Sequence, residues 1–246
     1  MTLDLAQSVS LRLAALMGLF AMCVGNAVAA SENFYLALDG GYKRGDFGTT
    51  VVEQLYSLAA TVGRVSPSYE VSISAPFLRS DNETAGSESG LGDVVVGAGY
   101  VLFEQNPKGL ALNGSLAIKL PTADEKKGLG SGETDIGAYL TLTQHKSFFS
   151  ASIFTGYVAI GDTDEINYNN IVTYGIGASK NFSWTGVYVS MEGRTAATDQ
   201  SDSPLEVHLG VFHILDIKHT LTADVFLGLS DGSPDEGISL GVVRWF

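Results

Sequence analysis

Side-chain character alternates every second residue along much of this chain, and that period restricts it to β-strands with one apolar and one polar or small face. Leu221, Ala223, Val225, Leu227 and Leu229 interleave with Thr222, Asp224, Phe226 and Gly228. Ile136, Ala138, Leu140 and Leu142 do the same against Asp135, Gly137, Tyr139, Thr141 and Thr143. The rhythm returns as Leu112, Leu116, Ile118 and Leu120 against Asn113, Ser115 and Lys119. It returns again as Val187, Val189 and Met191 against Tyr188, Ser190, Glu192 and Arg194. A soluble sandwich also alternates, with its apolar face as the core, so the choice between sandwich and membrane barrel needs other signals.

The first of these is an export leader. Arg12 precedes the apolar stretch Leu13 to Val24, and Ala27, Val28 and Ala29 form an A-x-A cleavage pattern. The stretch is shorter than the roughly 20 apolar residues of a spanning helix. This predicts a signal peptide over residues 1–29 and one domain over 30–246. Cys23, the single cysteine, lies inside the leader, so the mature chain carries no thiol. Met22 before it is too large for lipoprotein cleavage. Many strands approach the roughly 9–11 residues of a tilted membrane strand, and Gly recurs on the polar face. Together these features predict an all-β fold, an antiparallel transmembrane β-barrel of about 12 strands in the cell outer membrane.

The strands are expected near 33–43, 51–65, 68–78, 90–104, 110–121, 133–144, 148–161, 170–181, 185–196, 204–215, 220–230 and 237–246. An even count leaves both chain ends on one side. The connections then sort into outer loops at 80–89, 121–131, 161–169, 197–203 and 231–236, and mostly shorter turns at 66–67, 145–147 and 181–184. In the last strand, Ile238, Leu240 and Val242 alternate toward Phe246, an aromatic signal of the kind read by barrel-insertion machinery. Arg244 breaks that strand's apolar face, and near the membrane edge its guanidinium can snorkel to head groups.

The segments SGLGDVVVGAGYVLFE from Ser89, LALNGSLAIKLPTADEKKGLGSGETDIGAYLTLTQ from Leu110 and FTGYVAIGDT from Phe154 resemble a family of outer-membrane proteins linked to the meta-pathway of phenol degradation. Gly90, Gly92 and Asp93, then Lys119, Pro121 and Thr122, carry the match. Gly130, Ser131, Gly132 and Asp135, then Gly156, Tyr157, Gly161 and Asp162, extend it. The resemblance covers about residues 89–162 most clearly. It implies a closed barrel, transporter-like, tied to aromatic or other hydrophobic compounds.

Two charged sets fall on inward parity. Asp93, Lys119 and Asp135 lie at the outer ends of three successive strands, where antiparallel pairing brings them together. Glu192, Arg194, Glu206, His208 and Asp224 occupy the ninth to eleventh strands. Either set braces a filled lumen or rings a pore.

The acidic outer runs Asp162, Asp164, Glu165 and Asn167, and Asp231, Asp235 and Glu236, offer oxygen ligands but no known calcium-loop spacing. They read as solvated loops, and no metal or cofactor is expected. The run Gly128 to Gly132 lacks the Walker Lys-Ser/Thr ending. His145 and Ser147 form a His-x-Ser pair on one strand face, yet at an inner turn beside Lys146 and with no orienting Asn or Asp. An enzyme is therefore not expected. With 14 Lys plus Arg against 27 Asp plus Glu, nucleic acid is excluded as a partner. The expected partners are outer-membrane lipid and lipopolysaccharide, the insertion machinery and a small-molecule solute. The function expected is passive passage of small, aromatic or hydrophobic molecules. The alternative is a non-conducting structural or surface-interaction barrel.

Overall fold

The computed structural model describes residues 33–46, 51–84, 86–105, 109–161 and 168–246. The expected leader, residues 1–29, lies outside the described residues, as does the acidic run from Asp162 to Asn167.

Alternation becomes strands because each wall position must satisfy two solvents, lipid outside and a polar interior within. The strands are β1 (Asn33–Gly45), β2 (Glu53–Val65), β3 (Tyr69–Asn82), β4 (Gly86–Leu91), β5 (Val94–Gln105), β6 (Leu110–Leu120) and β7 (Asp135–Lys146). They continue as β8 (Phe149–Ala159), β9 (Ile171–Phe182), β10 (Thr185–Arg194), β11 (Leu205–Ile214), β12 (His219–Gly228) and β13 (Glu236–Trp245). Each wall strand pairs antiparallel with its chain neighbours, β1 pairs with β13, and β2 pairs with both β1 and β3. The sheet therefore closes on itself and leaves no wall edge unpaired.

The wall has the expected twelve strands because β4 and β5 are one strand interrupted at Gly92 and Asp93. Both pair with β3, β4 against its outer half and β5 against its inner half. At the break the ladder switches partners: Gly92 N–H donates to the Pro76 carbonyl, while Val94 N–H donates to Thr122 Oγ1. This corrects the expected loop over residues 80–89. Residues 80–82 and 86–89 instead pair as the two arms of a β-hairpin, with Asp81 opposite Ser87 and Asn82 opposite Gly86. A hairpin beyond the membrane answers to no lipid face, so alternation does not announce it.

Short turns join the strands at one end. Two of them place Ser147 (φ 51°) and Ser183 (φ 46°) in the left-handed region that tight hairpin turns demand. Longer connections at 121–134, 195–204 and 229–235 gather at the other end. Outward side chains are apolar and exposed along the wall, among them Leu58, Ile73, Leu116, Leu140, Ile176, Leu209 and Leu240. Phe34, Phe149, Phe182 and Trp184 ring the short-turn end, and Tyr42, Tyr56 and Phe77 lie toward the other. Such aromatic girdles sit at head-group level.

Arg244 faces outward, as strict alternation requires, and its guanidinium stacks on Phe246 at 5.1 Å. Arg64, also outward, stacks on Phe34 at 5.6 Å. Both sit at the short-turn rim, where a stacked guanidinium reaches phosphate groups without crossing hydrocarbon. A bulge between Val101 and Phe103 leaves Leu102 and Phe103 both exposed. Beside it, an apolar groove of about 990 Å³ runs over Ala98, Gly114 and Ala138 between Tyr100, Leu116, Leu140 and Tyr157. No helix among the described residues is long and apolar enough to cross a membrane.

Candidate functional site

The inner wall carries the polar chemistry. Lys119, on β6, pairs in register with Asp135 on β7, and Asp93 turns toward them from the β4–β5 break. Lys119 Nζ lies 2.8 Å from Asp135 Oδ2 and 3.5 Å from Asp93 Oδ2, with all three side chains at most 3% exposed. The ammonium also donates to Ser131 Oγ at 2.6 Å. Asp93 Oδ1 accepts from the N–H groups of Thr122 and Ala123, and Asp135 Oδ1 accepts from Gly161 N–H. One cation thus ties the β6–β7 connection, the β4–β5 break and the start of the β8–β9 connection together. Gly130 makes this possible, because a Cβ there would stand 2.7 Å from Asp93 Oδ2.

Above this cluster the outer connections fold inward. Leu129, Ile160, Tyr168 and Ala197 are buried, and the last three pack with Val158 and Ile171. A 3-10 turn at Glu125–Lys127 shapes the approach, capped by the Asp124 carboxylate accepting Lys126 N–H and ended by Gly128 at φ 68°. The glycines of the 128–132 run therefore serve a chain reversal and a close approach, not a phosphate.

The second set assembles in part. His208, on β11, lies with Nδ1 3.0 Å from Asp224 Oδ1 and Nε2 3.5 Å from Glu206 Oε2. Tyr188 OH donates to Asp224 Oδ2 at 3.0 Å, and the His208 ring stacks on Phe226 at 5.1 Å. Glu206 and Asp224 are at most 6% exposed. Glu192 stands opposite Glu206 across the β10–β11 ladder and accepts from Ser190 OH at 3.0 Å. Arg194 shares their face at the outer end of β10 and is partly buried. Lys43, from β1, places its ammonium 5.5 Å from the Phe226 ring. The sequence did not single out Lys43, because its strand is remote from β12 in order and comes within one strand of it only through barrel closure.

Three further inward acids also escape a linear reading. Glu70 accepts from Tyr35 OH at 2.6 Å, Glu53 accepts from Ser80 OH, and Asp39 shares the inner face of β1 with Tyr35. Their inward parity was legible strand by strand, but the register of neighbouring strands shows what faces them.

His145 and Ser147 do not share a strand face. β7 ends at Lys146, Ser147 takes the turn, and His145 Nδ1 bonds Ser150 Oγ at 2.8 Å across the β7–β8 hairpin. A two-residue turn changes the parity that alternation presumed. No group of three His, Cys, Asp or Glu poised for a metal is found among the described residues.

Between the charges lie aromatic rings. Tyr139 faces inward directly opposite Gly156, and a Cβ on that glycine would overlap the ring. The same close fit pairs Tyr35 with Gly63, Phe154 with Gly175, Tyr188 with Gly210, Phe212 with Gly186 and Phe226 with Gly237. Each ring lies over the bare backbone of its neighbour, so the inner wall presents aromatic faces as well as carboxylates.

The sequence from residue 28 to residue 244 matches the family described as MetA-pathway of phenol degradation, and the chain belongs to that family. No curated protein matches the sequence. Among solved structures, the chain is similar to an outer membrane channel from Pseudomonas putida F1, with TM-score 0.77 at 12% identity, covering 88% of this chain and 96% of that one. It is similar to the KdgM porin, solved in complex with disordered oligogalacturonate, with TM-score 0.57 at 11% identity over 85% of this chain and 99% of the porin. The beta domain of the Bordetella autotransporter Brka aligns with TM-score 0.55 at 11% identity, over 87% and 99% of the two chains. At these identities the likeness is one of fold, and that fold is the outer-membrane barrel.

Proposed function

We propose that this member of the phenol-degradation family is an outer-membrane channel through which small molecules, phenolic or otherwise hydrophobic, pass passively along the inner wall. The observation that carries the reading is the two-sided wall: exposed aliphatic side chains outside, ring faces and carboxylates inside. A wall of this kind is stable in lipid only as a closed barrel, and its interior is the place where a solute meets protein. The family's connection with phenol degradation supports an aromatic solute, and neighbours that are themselves channels and porins support passage. The barrel performs no covalent step and needs no cofactor or energy source of its own.

Single-channel recording of the refolded barrel in a planar bilayer tests this. Stable conductance steps that phenol or a related solute blocks are expected. A barrel that conducts nothing in any state overturns the reading in favour of a structural role. That second reading has its own support in the apolar packing of Ile160, Tyr168 and Ala197 at the outer mouth.

A further inference from the structure

We propose that the lumen is an electronegative filter, admitting neutral and cationic solutes and turning back anionic ones such as aromatic carboxylates. This rests on the channel reading above and names the charge class of its solute. The sequence contains 14 Lys plus Arg, yet only Lys43, Lys119 and Arg194 point inward from the described strands. Lys119 is committed to two carboxylates, so its cluster keeps one negative charge in excess. Around His208, the three carboxylates Glu192, Glu206 and Asp224 share the inner face with the two remaining inward Lys and Arg side chains. Asp39, Glu53 and Glu70 are further inward carboxyl groups, and the hydrogen-bond partners seen for Glu53 and Glu70 are hydroxyls, not cations.

The cations have gone elsewhere. Arg44, Arg64, Arg79, Lys146, Lys180 and Arg244 all face outward near the two rims, where lipid phosphates lie. Two of these six, Arg44 and Arg79, are paired there with Glu236 and Asp81, and the other four add positive charge toward the head groups, while carboxylates outnumber Lys and Arg on the inner face. Carboxylates ringing a narrow low-dielectric path focus a field that attracts cations and repels anions, while an uncharged ring is indifferent to it. Neutral phenol passes such a filter, and benzoate does not.

The experiment is the reversal potential of the full refolded barrel in a planar bilayer under a tenfold KCl gradient, followed by block with phenol, benzylammonium and benzoate. The expected result is a several-fold preference for potassium over chloride, block by phenol and benzylammonium, and indifference to benzoate. Glu192→Gln and Asp39→Asn, both at partly accessible positions, are expected to bring the preference toward unity. Conductance with no preference, or with chloride favoured, overturns the filter and leaves the channel standing. A barrel silent in every salt overturns the channel reading and the filter with it. The wild-type sign alone decides the proposal if either variant fails to fold.

Discussion

Lys119 and Asp135 meet at 2.8 Å across the β6–β7 ladder, both nearly sealed from solvent, at the point where the outer connections fold over the barrel. A buried pair of this kind contributes little relative to a well-packed apolar substitute, but stranding one member is expensive. Lys119→Met leaves Asp93 and Asp135 together without their cation. The expected loss is about 3–5 kcal/mol of unfolding free energy, measured by urea titration of the barrel in detergent. Adding Asp93→Asn and Asp135→Asn to Lys119→Met is expected to recover most of it. Equal stability of the single and triple variants would show that the loss does not come from stranded carboxylates.

The ring of Tyr139 over Gly156 gives a second test. Gly156→Ala forces a methyl into the ring's place, and overpacking of this sort costs about 1–3 kcal/mol. In a Tyr139→Ala background the same substitution should cost far less, because the ring is gone. A double-mutant cycle measures the coupling. Additive effects would mean that ring and glycine are independent.

At the inner turn between β11 and β12, Asp216 Oδ2 lies 2.9 Å from His219 Nδ1. The hydrogen bond from the His219 side chain first, and then the Lys218 N–H, holds the Asp216 carboxyl below the usual carboxylate range. A depressed carboxylate stabilises the fold above its unfolded pKa, about 3.9, and that contribution disappears as pH falls through the lower folded value. Asp216→Asn should therefore shift the urea midpoint slightly near neutral pH, and that shift should shrink as pH falls below about 3.9. The site is exposed, so the shift is small. A difference that persists undiminished into strong acid would contradict the assignment.

The strands themselves were legible in the sequence because lipid and lumen impose opposite demands on successive residues. Ile136 and Asp135 could hardly exchange faces. Antiparallel order then brought Asp93, Lys119 and Asp135 together on paper, since neighbours in the chain are neighbours in the wall. What joins the wall across its seam was not legible. Lys43 reaches Phe226 only because β1 pairs with β13. The β3–β4 hairpin and the inward fold of Leu129 lie beyond the wall's alternation, where the period that reveals the wall carries no information. The aromatic and glycine partners were visible as Tyr139, Tyr188 and Phe226 on the polar phase, but a ring over a glycine needs the register of two strands.

Inner and outer faces alternate along each strand between water and lipid. On β13, Ser239 faces inward opposite Asp224, and Leu240 faces outward. The described residues contain no cysteine, so Ser239→Cys and Leu240→Cys each introduce a single reporter. The measurement is the rate at which a membrane-impermeant maleimide labels each variant of the barrel reconstituted in lipid vesicles. Rapid labelling at position 239 and protection at position 240 is the predicted result. Labelling at 240 as fast as at 239, or faster, would contradict a lipid-facing outer wall around a water-accessible interior.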